Sequence, residues 1–301
     1  MIWVHGGVSR LLHNNSYDVI VIAGYNHAAC WETLLYAFLF DVPVVPWSGT
    51  WSGSLGTENR LINTLREIYT KRGSSWIAYG SRASEALRAW GAEPESIHVA
   101  INTVDVKKYA EYSSNINGFE PNSASFEILY CGQLIPRKNV QSLFNAVSMI
   151  ESENIQVNIV GDGPLLAELR EYTADLKAEI NFEGHISRQE IIPYYTKADL
   201  VVLPSSVEVW GLVVNEALAC GTPVIVSDMC GCAPDVVREG FNGHIFDHKS
   251  PQELSHLISK QMTGELKYAS AKDIQQDAIH RLSIQRSFDG FIEAIYDANN
   301  S

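Results

Sequence analysis

The feature that most constrains the fold of this chain is a regular alternation of short Val- and Ile-rich runs with longer amphipathic segments. Four such runs come first, at 17–24, 42–47, 75–80 and 97–100. Five or six more follow, at 127–132, 155–161, 180–184, 199–205, 223–228 and the short 244–246. Continuous apolar strands that alternate with helices are typical of a parallel sheet covered by helices on both faces. The pattern therefore predicts an α/β protein.

The alternation lapses once, between residues 110 and 126, where Ser, Asn, Gly and Pro are frequent. Such a composition is typical of a linker. We therefore predict two α/β domains, at 1–118 and 119–285, the first with fewer strands than the second. Ligands of open parallel sheets bind beyond the carboxyl ends of the strands, often between two domains, so a site is expected there.

Composition and charge exclude several classes of protein. The chain has 46% hydrophobic and 19% charged residues, which is a globular composition. Its net charge of -13 argues against nucleic-acid binding, which needs a basic face. The five cysteines are odd in number and unevenly spaced, which favours a reducing compartment over a disulfide framework. Because there is no secretory signal and no apolar run of about 20 residues, we expect a cytoplasmic protein.

Three glycine-bearing turns join strands to helices in the second domain, at 131–139, 160–164 and 205–212. The exposed N–H groups at such helix starts favour an anion. The helix after the second turn is predicted to span 164–178. No turn matches the G-x-G-x-x-G dinucleotide fingerprint or a G-x-x-x-x-G-K phosphate loop. The first turn carries Arg137 and Lys138, so the turns together predict a bound diphosphate.

Two glutamates, Glu208 and Glu216, flank the start of a predicted helix. Either residue alone is most simply a solvated surface side chain. Together they can hold two parts of one elongated ligand, because a carboxylate accepts hydrogen bonds from the vicinal hydroxyls of a sugar. The amides of Gly211, Leu212 and Val213 lie between them in the sequence and can bind phosphate. This arrangement predicts a site for a nucleotide sugar.

Several longer segments resemble one enzyme family. The segments "GQLIPRKN" (132–139), "IVGDGPLLAEL" (159–169), 180–228 and "VVREGFNGHIF" (236–246) are similar to the carboxyl-terminal domain of retaining glycosyltransferases of family 4. The resemblance is strong from about residue 126 to 250 and weaker from about 17 to 110. It implies a GT-B fold, an α/β type in which two Rossmann-like domains face a cleft.

The resemblance also implies roles for single residues. Lys138 would neutralise the donor diphosphate, Glu208 would lie at the donor sugar, and Glu216 would bind the ribose. Lys138 and Glu208 are therefore the expected catalytic residues. The implied donor-binding residues are Arg137, Gly132, Gly163, Ile186, Gly211, Leu212, Val213 and Glu216, with Ile186 in the loop that lines the base.

The implied reaction moves a sugar from a nucleotide diphosphate to a hydroxyl of a glycan or lipid-linked acceptor, with retention at the anomeric carbon. Leaving-group charge would be stabilised electrostatically. No cofactor and no metal are expected, and the sequence contains no Asp-x-Asp triplet. The expected product is a cell-surface polysaccharide or glycolipid, and peripheral contact with the inner face of the membrane stays open. No nucleic-acid partner and no particular oligomeric state are predicted.

The chain departs from the family at its beginning. Members usually start with a further strand and a glycine-rich loop, about two βα units upstream of residue 17. The segment His5-Gly6-Gly7 resembles that loop only superficially, so we expect a first domain that lacks its opening strands. Gln133 also stands where the family often has an arginine. The final helix, at 286–301, is expected to pack on the first domain, as it does in the family.

Two alternatives stay open. The first is a non-catalytic or partner-dependent chain that binds a nucleotide sugar, which the short first domain favours. The second is another GT-B enzyme, such as a sugar epimerase or phosphorylase, which the spacing of Glu208 and Glu216 disfavours. A metal site at Cys230 and Cys232 is disfavoured because no further ligands complete it.

Overall fold

Two parallel β-sheets organise the computed structural model, which describes residues 7–25, 27–55, 60–116, 125–152 and 154–300. The first sheet has the strand order β1-β2-β3-β4, with β1 Ile20–Ala23, β2 Val44–Ser48, β3 Trp76–Ala78 and β4 Ile97–Val99. The second has the order β10-β9-β8-β5-β6-β7, with β5 Phe126–Cys131, β6 Ile155–Val160, β7 Glu179–Gly184, β8 Leu200–Leu203, β9 Val224–Ser227 and β10 Gly243–Phe246. The prediction of an α/β protein with two parallel sheets is confirmed.

Helices connect the strands throughout the described part of the chain. They are α1 Val8–His13, α2 Ala28–Phe40, α3 Arg60–Thr70, α4 Ser81–Ala89, α5 Val106–Ser114, α6 Val140–Ser148, α7 Leu166–Tyr172, α8 Ile192–Lys197, α9 Leu212–Ala219, α10 Ala233–Val236, α11 Pro251–Met262, α12 Ala271–Arg281 and α13 Ile284–Asn300. None of these helices is both long enough and apolar enough to cross a membrane.

The chain divides into two units after Asn102. The second unit runs from Thr103 to Ile284, and the first contains the chain before it together with the segment from Gln285 onward. The boundary predicted after residue 118 lies outside the described residues. Helix α5, which the sequence places in the first domain, belongs to the second unit because it packs against α9 and α12. The Ser113 hydroxyl of α5 donates a hydrogen bond to the Cys220 carbonyl, at 3.2 Å.

The last helix, α13, packs on the four-stranded sheet of the first unit. Its Ala294 and Ala298 are buried with Val45 of β2 and Ile77 of β3. The Ser75 hydroxyl also donates a hydrogen bond to the Ala294 carbonyl, at 2.6 Å. Small residues on the inner side of the helix thus allow close packing against the sheet.

The six-stranded sheet has a buried centre and a more polar edge. Every residue of β8 and β9 is buried, as expected for parallel strands covered on both faces. Strands β6 and β7 instead read "IQVNIV" and "EINFEG", with alternating apolar and polar side chains. One face of this end of the sheet is therefore polar.

The strand order also fixes where a ligand site can form. Strand β5 is the first strand of the second unit and pairs with β6 on one side and with β8 on the other. Strands β6 and β7 therefore follow on one side of β5, and β8, β9 and β10 follow on the other. The order of the strands reverses between β5 and β8, which makes their carboxyl ends a topological switch point. Loops that leave the carboxyl ends of neighbouring strands diverge there and form a crevice.

Candidate functional site

The loops that follow β5 and β8 bring three charged side chains together at the switch point. The Lys138 ammonium contacts the Glu208 carboxylate directly, and the Arg137 guanidinium lies 3.7 Å from the same oxygen. The side chains of Lys138 and Glu208 are only 12% and 11% exposed. Two cations facing one carboxylate leave one positive charge in excess within this group of three side chains. The crevice is therefore suited to an anion.

Backbone hydrogen bonds hold Glu208 in this position. The Arg137 carbonyl accepts hydrogen bonds from the Ser206 and Val207 amides, at 2.9 and 3.3 Å. The Glu208 amide donates to the Met229 carbonyl in the loop after β9, at 3.1 Å. The carboxylate is thus anchored between three adjacent loops before any ligand binds.

The glycines of the first two turns allow these loops to pack backbone against backbone. A Cβ atom on Gly161 would lie 1.9 Å from the Gly132 carbonyl oxygen, and one on Gly163 would lie 2.4 Å from the Leu134 carbonyl oxygen. The Gly132 amide donates to the Val160 carbonyl, and the Gly163 amide donates to the side chain of its neighbour Asp162. The structure therefore shows close packing at Gly132 and Gly163, and both amides already have acceptors.

Helix α9 begins beside the charged cluster with unpaired N–H groups. Gly211 precedes the helix with φ +106°, and its missing side chain makes room for Leu203. Within the described part of the chain, the Leu212 and Val213 amides have no hydrogen-bond acceptor. Free amides at a helix start bind anions, so these two groups add to the positive charge of the crevice.

Glu216 lies one turn further along α9 and has a different partner. The Tyr195 hydroxyl donates a hydrogen bond to the Glu216 carboxylate at 2.7 Å, and Tyr195 is fully buried. Burial raises the pKa of Glu216, while the hydrogen bond from Tyr195 and the charge of Arg188 act in the opposite direction. The hydrogen bond from Tyr195 therefore orients the carboxylate.

A cavity of about 360 Å³ lies next to this carboxylate, within the second unit. Its lining includes Lys108, Tyr109, Arg188 and Leu212. The Tyr109 hydroxyl is near Glu216, whose charge adds to the effect of burial in raising the tyrosine pKa, but it makes no hydrogen bond of normal geometry in the described structure. A larger cavity of about 560 Å³ lies elsewhere, beside Thr222, and contains none of the predicted site residues.

The remaining predicted residue, Ile186, lies in the loop after β7. It is partly exposed and stands two residues beyond Gly184, whose carbonyl accepts a hydrogen bond from the Gly161 amide at 2.7 Å. This connection places the loop of Ile186 beside the glycine turn after β6. Its role at a base stays a prediction.

Comparison with known proteins places this site in a family. The family described as "Glycosyl transferases group 1" matches residues 114–281, which is more than half of the chain and includes every site residue that the sequence predicted. The chain belongs to this family.

Curated relatives match part of this chain. An uncharacterized glycosyltransferase of Methanocaldococcus jannaschii is 31% identical over 143 residues, covering 45% of this chain and 35% of the relative. A D-inositol 3-phosphate glycosyltransferase of Streptomyces bingchenggensis is 30% identical over 196 residues, covering 59% and 42%. The aligned part of the chain thus spans between a third and a half of the first relatives' length.

Solved structures share the whole fold. Anabaena HepE in complex with UDP superposes with a TM-score of 0.78 at 21% identity, covering 96% of this chain and 80% of that one. The lipopolysaccharide outer core galactosyltransferase WaaB, in its apo form, gives a TM-score of 0.77 at 20% identity, covering 96% and 77%. The predicted GT-B fold of this group 1 family member is thereby confirmed.

Sequence reasoning missed several residues at this site. Tyr195 is 21 residues from Glu216 and has no signal in the sequence, because a tyrosine on a helix usually packs in the core. Asp228, Asp247 and His248 also cluster at the same edge of the sheet, with ligand-type atoms within 4.8 Å of one another. His248 is paired with Asp228, at 2.8 Å. Their positions just after β9 and β10 were a usable signal, since both strands end at the site.

Proposed function

We propose that this chain binds a nucleotide diphosphate sugar and transfers the sugar to a hydroxyl of a glycan or lipid-linked acceptor, with retention at the anomeric carbon. One observation carries the proposal. Lys138, Arg137 and Glu208 meet at the switch point of the six-stranded sheet, beside the free amides of Leu212 and Val213. Cations and helix-start amides together are the recurrent protein ligands of a diphosphate.

The diphosphate would take the place of Glu208 as the partner of Lys138. In this structure the lysine is neutralised by Glu208, so a bound donor must compete for the ammonium. When the lysine turns to the phosphates, the Glu208 carboxylate becomes available to hydroxyls of the donor sugar. This exchange of partners explains how Lys138 and Glu208, which lie on different loops, would act in the same transfer step.

Glu216 would bind the ribose. Its carboxylate is oriented by Tyr195 and lies one helical turn beyond the amides proposed for the phosphates. That spacing suits a ligand in which ribose follows diphosphate. Structures of the HepE fold relative contain UDP and UDP-glucose, which supports a donor of this class.

In the proposed reaction the bond from the anomeric carbon to the diphosphate breaks as the bond to the acceptor oxygen forms. The acceptor proton leaves with the nucleoside diphosphate, so charge and atoms balance. Negative charge that develops on the diphosphate would be stabilised by Lys138, Arg137 and the α9 amides, without a metal. Glu208 would orient the sugar at the reacting carbon.

The setting that we propose is the cytoplasm, at the inner face of the membrane, with a cell-surface polysaccharide or glycolipid as product. All five cysteines are described and none forms a disulfide, which supports a reducing compartment. The fold relative WaaB is described as a lipopolysaccharide outer core galactosyltransferase, which supports a cell-surface glycan as the product.

Calorimetric titration of the purified chain with UDP, GDP and ADP tests the donor site. We expect saturable binding of one nucleotide, unchanged by EDTA. Lys138→Ala should weaken it about tenfold or more, because a charge-assisted contact contributes about 1.5–3 kcal/mol. Lys177→Ala, an exposed lysine of the same unit, is the matched control and should bind as the unmodified chain does. If Lys138→Ala binds the nucleotide as tightly as the unmodified chain does, the proposed site is wrong.

A second candidate function is a nucleotide-sugar-binding chain that needs a partner for turnover. The first unit favours it, because β1 is an edge strand and α2 exposes Leu35, Phe38, Leu39 and Phe40, each more than half exposed. Hydrolysis of UDP-, GDP- or ADP-glucose by the chain alone distinguishes the two functions. Turnover without a partner would exclude this candidate, and nucleotide binding without any turnover would support it.

A further inference from the structure

One face of strands β5, β6 and β7 carries polar side chains where a parallel sheet is usually apolar. The register aligns Glu127 with Gln156 and Gln156 with Glu179, and one step further it aligns Asn158 with Asn181. Side chains two residues apart point to the same face, so all five share one surface. A solvent-exposed sheet edge would show the same polar pattern as a covered polar site. The burial of these side chains decides between an exposed edge and a covered site.

This polar face is partly covered. Glu127 is only 5% exposed and Asn158 only 8% exposed, although both are polar and lie mid-face. Burial raises the pKa of Glu127, and the charge of Lys197 on α8 opposes that effect. Buried polar groups in proteins are nearly always hydrogen-bonded, so Glu127 and Asn158 are expected to have hydrogen-bond partners.

Their hydrogen-bonding capacity is only half used. The Asn158 carbonyl oxygen accepts hydrogen bonds from the Gln156 and Asn181 amide groups, both at 3.3 Å. In the described part of the chain, nothing accepts a hydrogen bond from the Asn158 amide nitrogen, and nothing donates one to the Glu127 carboxylate. A free donor and a free acceptor thus lie side by side on adjacent strands.

Both groups line a cavity of about 310 Å³. Gln156, Glu183, Tyr194 and Lys197 also line it, so α8 forms one wall and the sheet forms the floor. This volume is at the lower end of the range of about 300–1,000 Å³ for small-molecule sites. The cavity lies on a face of the sheet, whereas Lys138 and Glu208 follow the carboxyl ends of the strands, so the two sites are distinct.

The chemistry of the lining restricts the ligand. The carboxylates of Glu127 and Glu183 outnumber the single cation, Lys197, so the lining disfavours an anion. The Asn158 oxygen already accepts from Gln156 and Asn181, so Glu127 and Glu183 are the two described acidic groups here that a metal ion could use. The three-ligand group found among the described residues is elsewhere, at Asp228, Asp247 and His248. A neutral polyol remains, because each hydroxyl both donates and accepts a hydrogen bond. The Tyr194 ring adds an apolar surface for the carbon face of a sugar ring.

We propose that this cavity is an accessory saccharide site that holds one neutral hexose unit of a glycan. Glu127 accepts from one hydroxyl, the Asn158 amide donates to its neighbour, and Tyr194 packs on the ring. The site holds a glycan on the donor-binding unit without taking part in the transfer. The proposal stands on the cavity itself and does not depend on the proposed transferase function.

The test is a neutral-glycan array of glucose, galactose and mannose oligosaccharides probed with the labelled full chain, followed by calorimetry with the best glycan. We expect a Kd of about 1 mM or tighter. Asn158→Asp should weaken binding at least about tenfold, because it replaces the amide donor with a carboxylate oxygen, adds a negative charge near Glu127, and keeps an acceptor for Gln156 and Asn181. Glu127→Gln should weaken it similarly. Glu168→Gln on α7 is an exposed control and should leave it unchanged.

Three results would overturn the proposal. They are that the chain binds no neutral glycan, that Asn158→Asp and Glu127→Gln bind the glycan as tightly as the unmodified chain does, or that the chain binds calcium chloride instead of any glycan. Urea unfolding of each variant reports whether it is folded. If Asn158→Asp and Glu127→Gln do not fold, Tyr194→Ala tests the same cavity from its partly exposed wall, and unchanged affinity of that variant would also overturn the proposal. Lys138→Ala must retain glycan binding, which separates this site from the donor site.

Discussion

At the scale of single residues, the site is governed by pairing between groups of opposite charge. Lys138 and Glu208 are nearly buried and contact each other, so each lowers the cost of burying the other's charge. Among the described residues no cation forms an ion pair with Glu216, which is held by the Tyr195 hydroxyl instead. The two carboxylates are therefore in different environments, which is the basis for assigning them different roles.

Replacement of the two glutamates separates those roles. We expect Glu216→Ala to weaken nucleotide binding about tenfold or more, because it removes the oriented acceptor of the ribose hydroxyls. Glu208→Ala should bind the nucleotide at least as well as the unmodified chain, since Lys138 no longer has to leave a carboxylate. It should nevertheless abolish sugar transfer and donor hydrolysis.

Calorimetry with the preferred nucleotide and a donor-hydrolysis assay check both variants, with the exposed Glu168→Ala as control. If both variants lose nucleotide affinity and turnover to the same degree, the separate assignments are wrong.

At the scale of helices and strands, the apolar runs predicted the strands well, and helix ends were predicted less well. The helix predicted at 164–178 is wrong in length, because α7 spans only Leu166–Tyr172. The Thr173 hydroxyl donates to the Leu169 and Arg170 carbonyls, at 3.0 and 3.2 Å, and the residue caps the helix. Side-chain bonds of this kind compete with continuation of a helix.

Helix α13 offers a test of close packing between elements. A Cβ atom on Gly290 would lie 2.2 Å from the Val99 carbonyl oxygen of β4. On a free helix surface, Gly→Ala adds about 1 kcal/mol of stability. Gly290→Ala should instead lower the free energy of unfolding by about 1–3 kcal/mol, because the helix must move away from the sheet.

Urea unfolding followed by circular dichroism measures the effect. Asp289→Ala, at the exposed neighbouring position, should stay within about 0.5 kcal/mol of the unmodified chain. A stabilised Gly290→Ala protein would show that α13 does not lie against β4 in solution.

At the scale of the whole molecule, the cysteines report on folding in both units. Cys30 in the first unit and Cys220, Cys230 and Cys232 in the second are buried, whereas Cys131 is partly exposed. Burial raises the pKa of the Cys131 thiol to about 11 from its usual value of 9.0. None of the five is therefore poised to react at neutral pH.

Thiol titration with the disulfide reagent DTNB tests this distribution. We expect all five thiols to react in denaturant and at most Cys131 to react in the native protein. At pH 8 a pKa near 11 makes the thiolate about a hundredfold rarer than for a thiol at 9.0, so Cys131 should react slowly and faster as the pH rises. Cys131→Ser is the control and should remove the native reaction. Fast native reaction of two or more thiols would contradict the buried assignments.

The sequence by itself determined the α/β class, the strands of both sheets, the glycine turns, and Lys138 and Glu208 as functional candidates. Periodicity and turn chemistry are properties of a few neighbouring residues, so they can be read directly from the chain. Only the tertiary structure decided the Tyr195–Glu216 pair, the division after Asn102 and the polar cavity beside Glu127. Each of these depends on which strands and helices become neighbours, and that choice is made by packing over many residues at once.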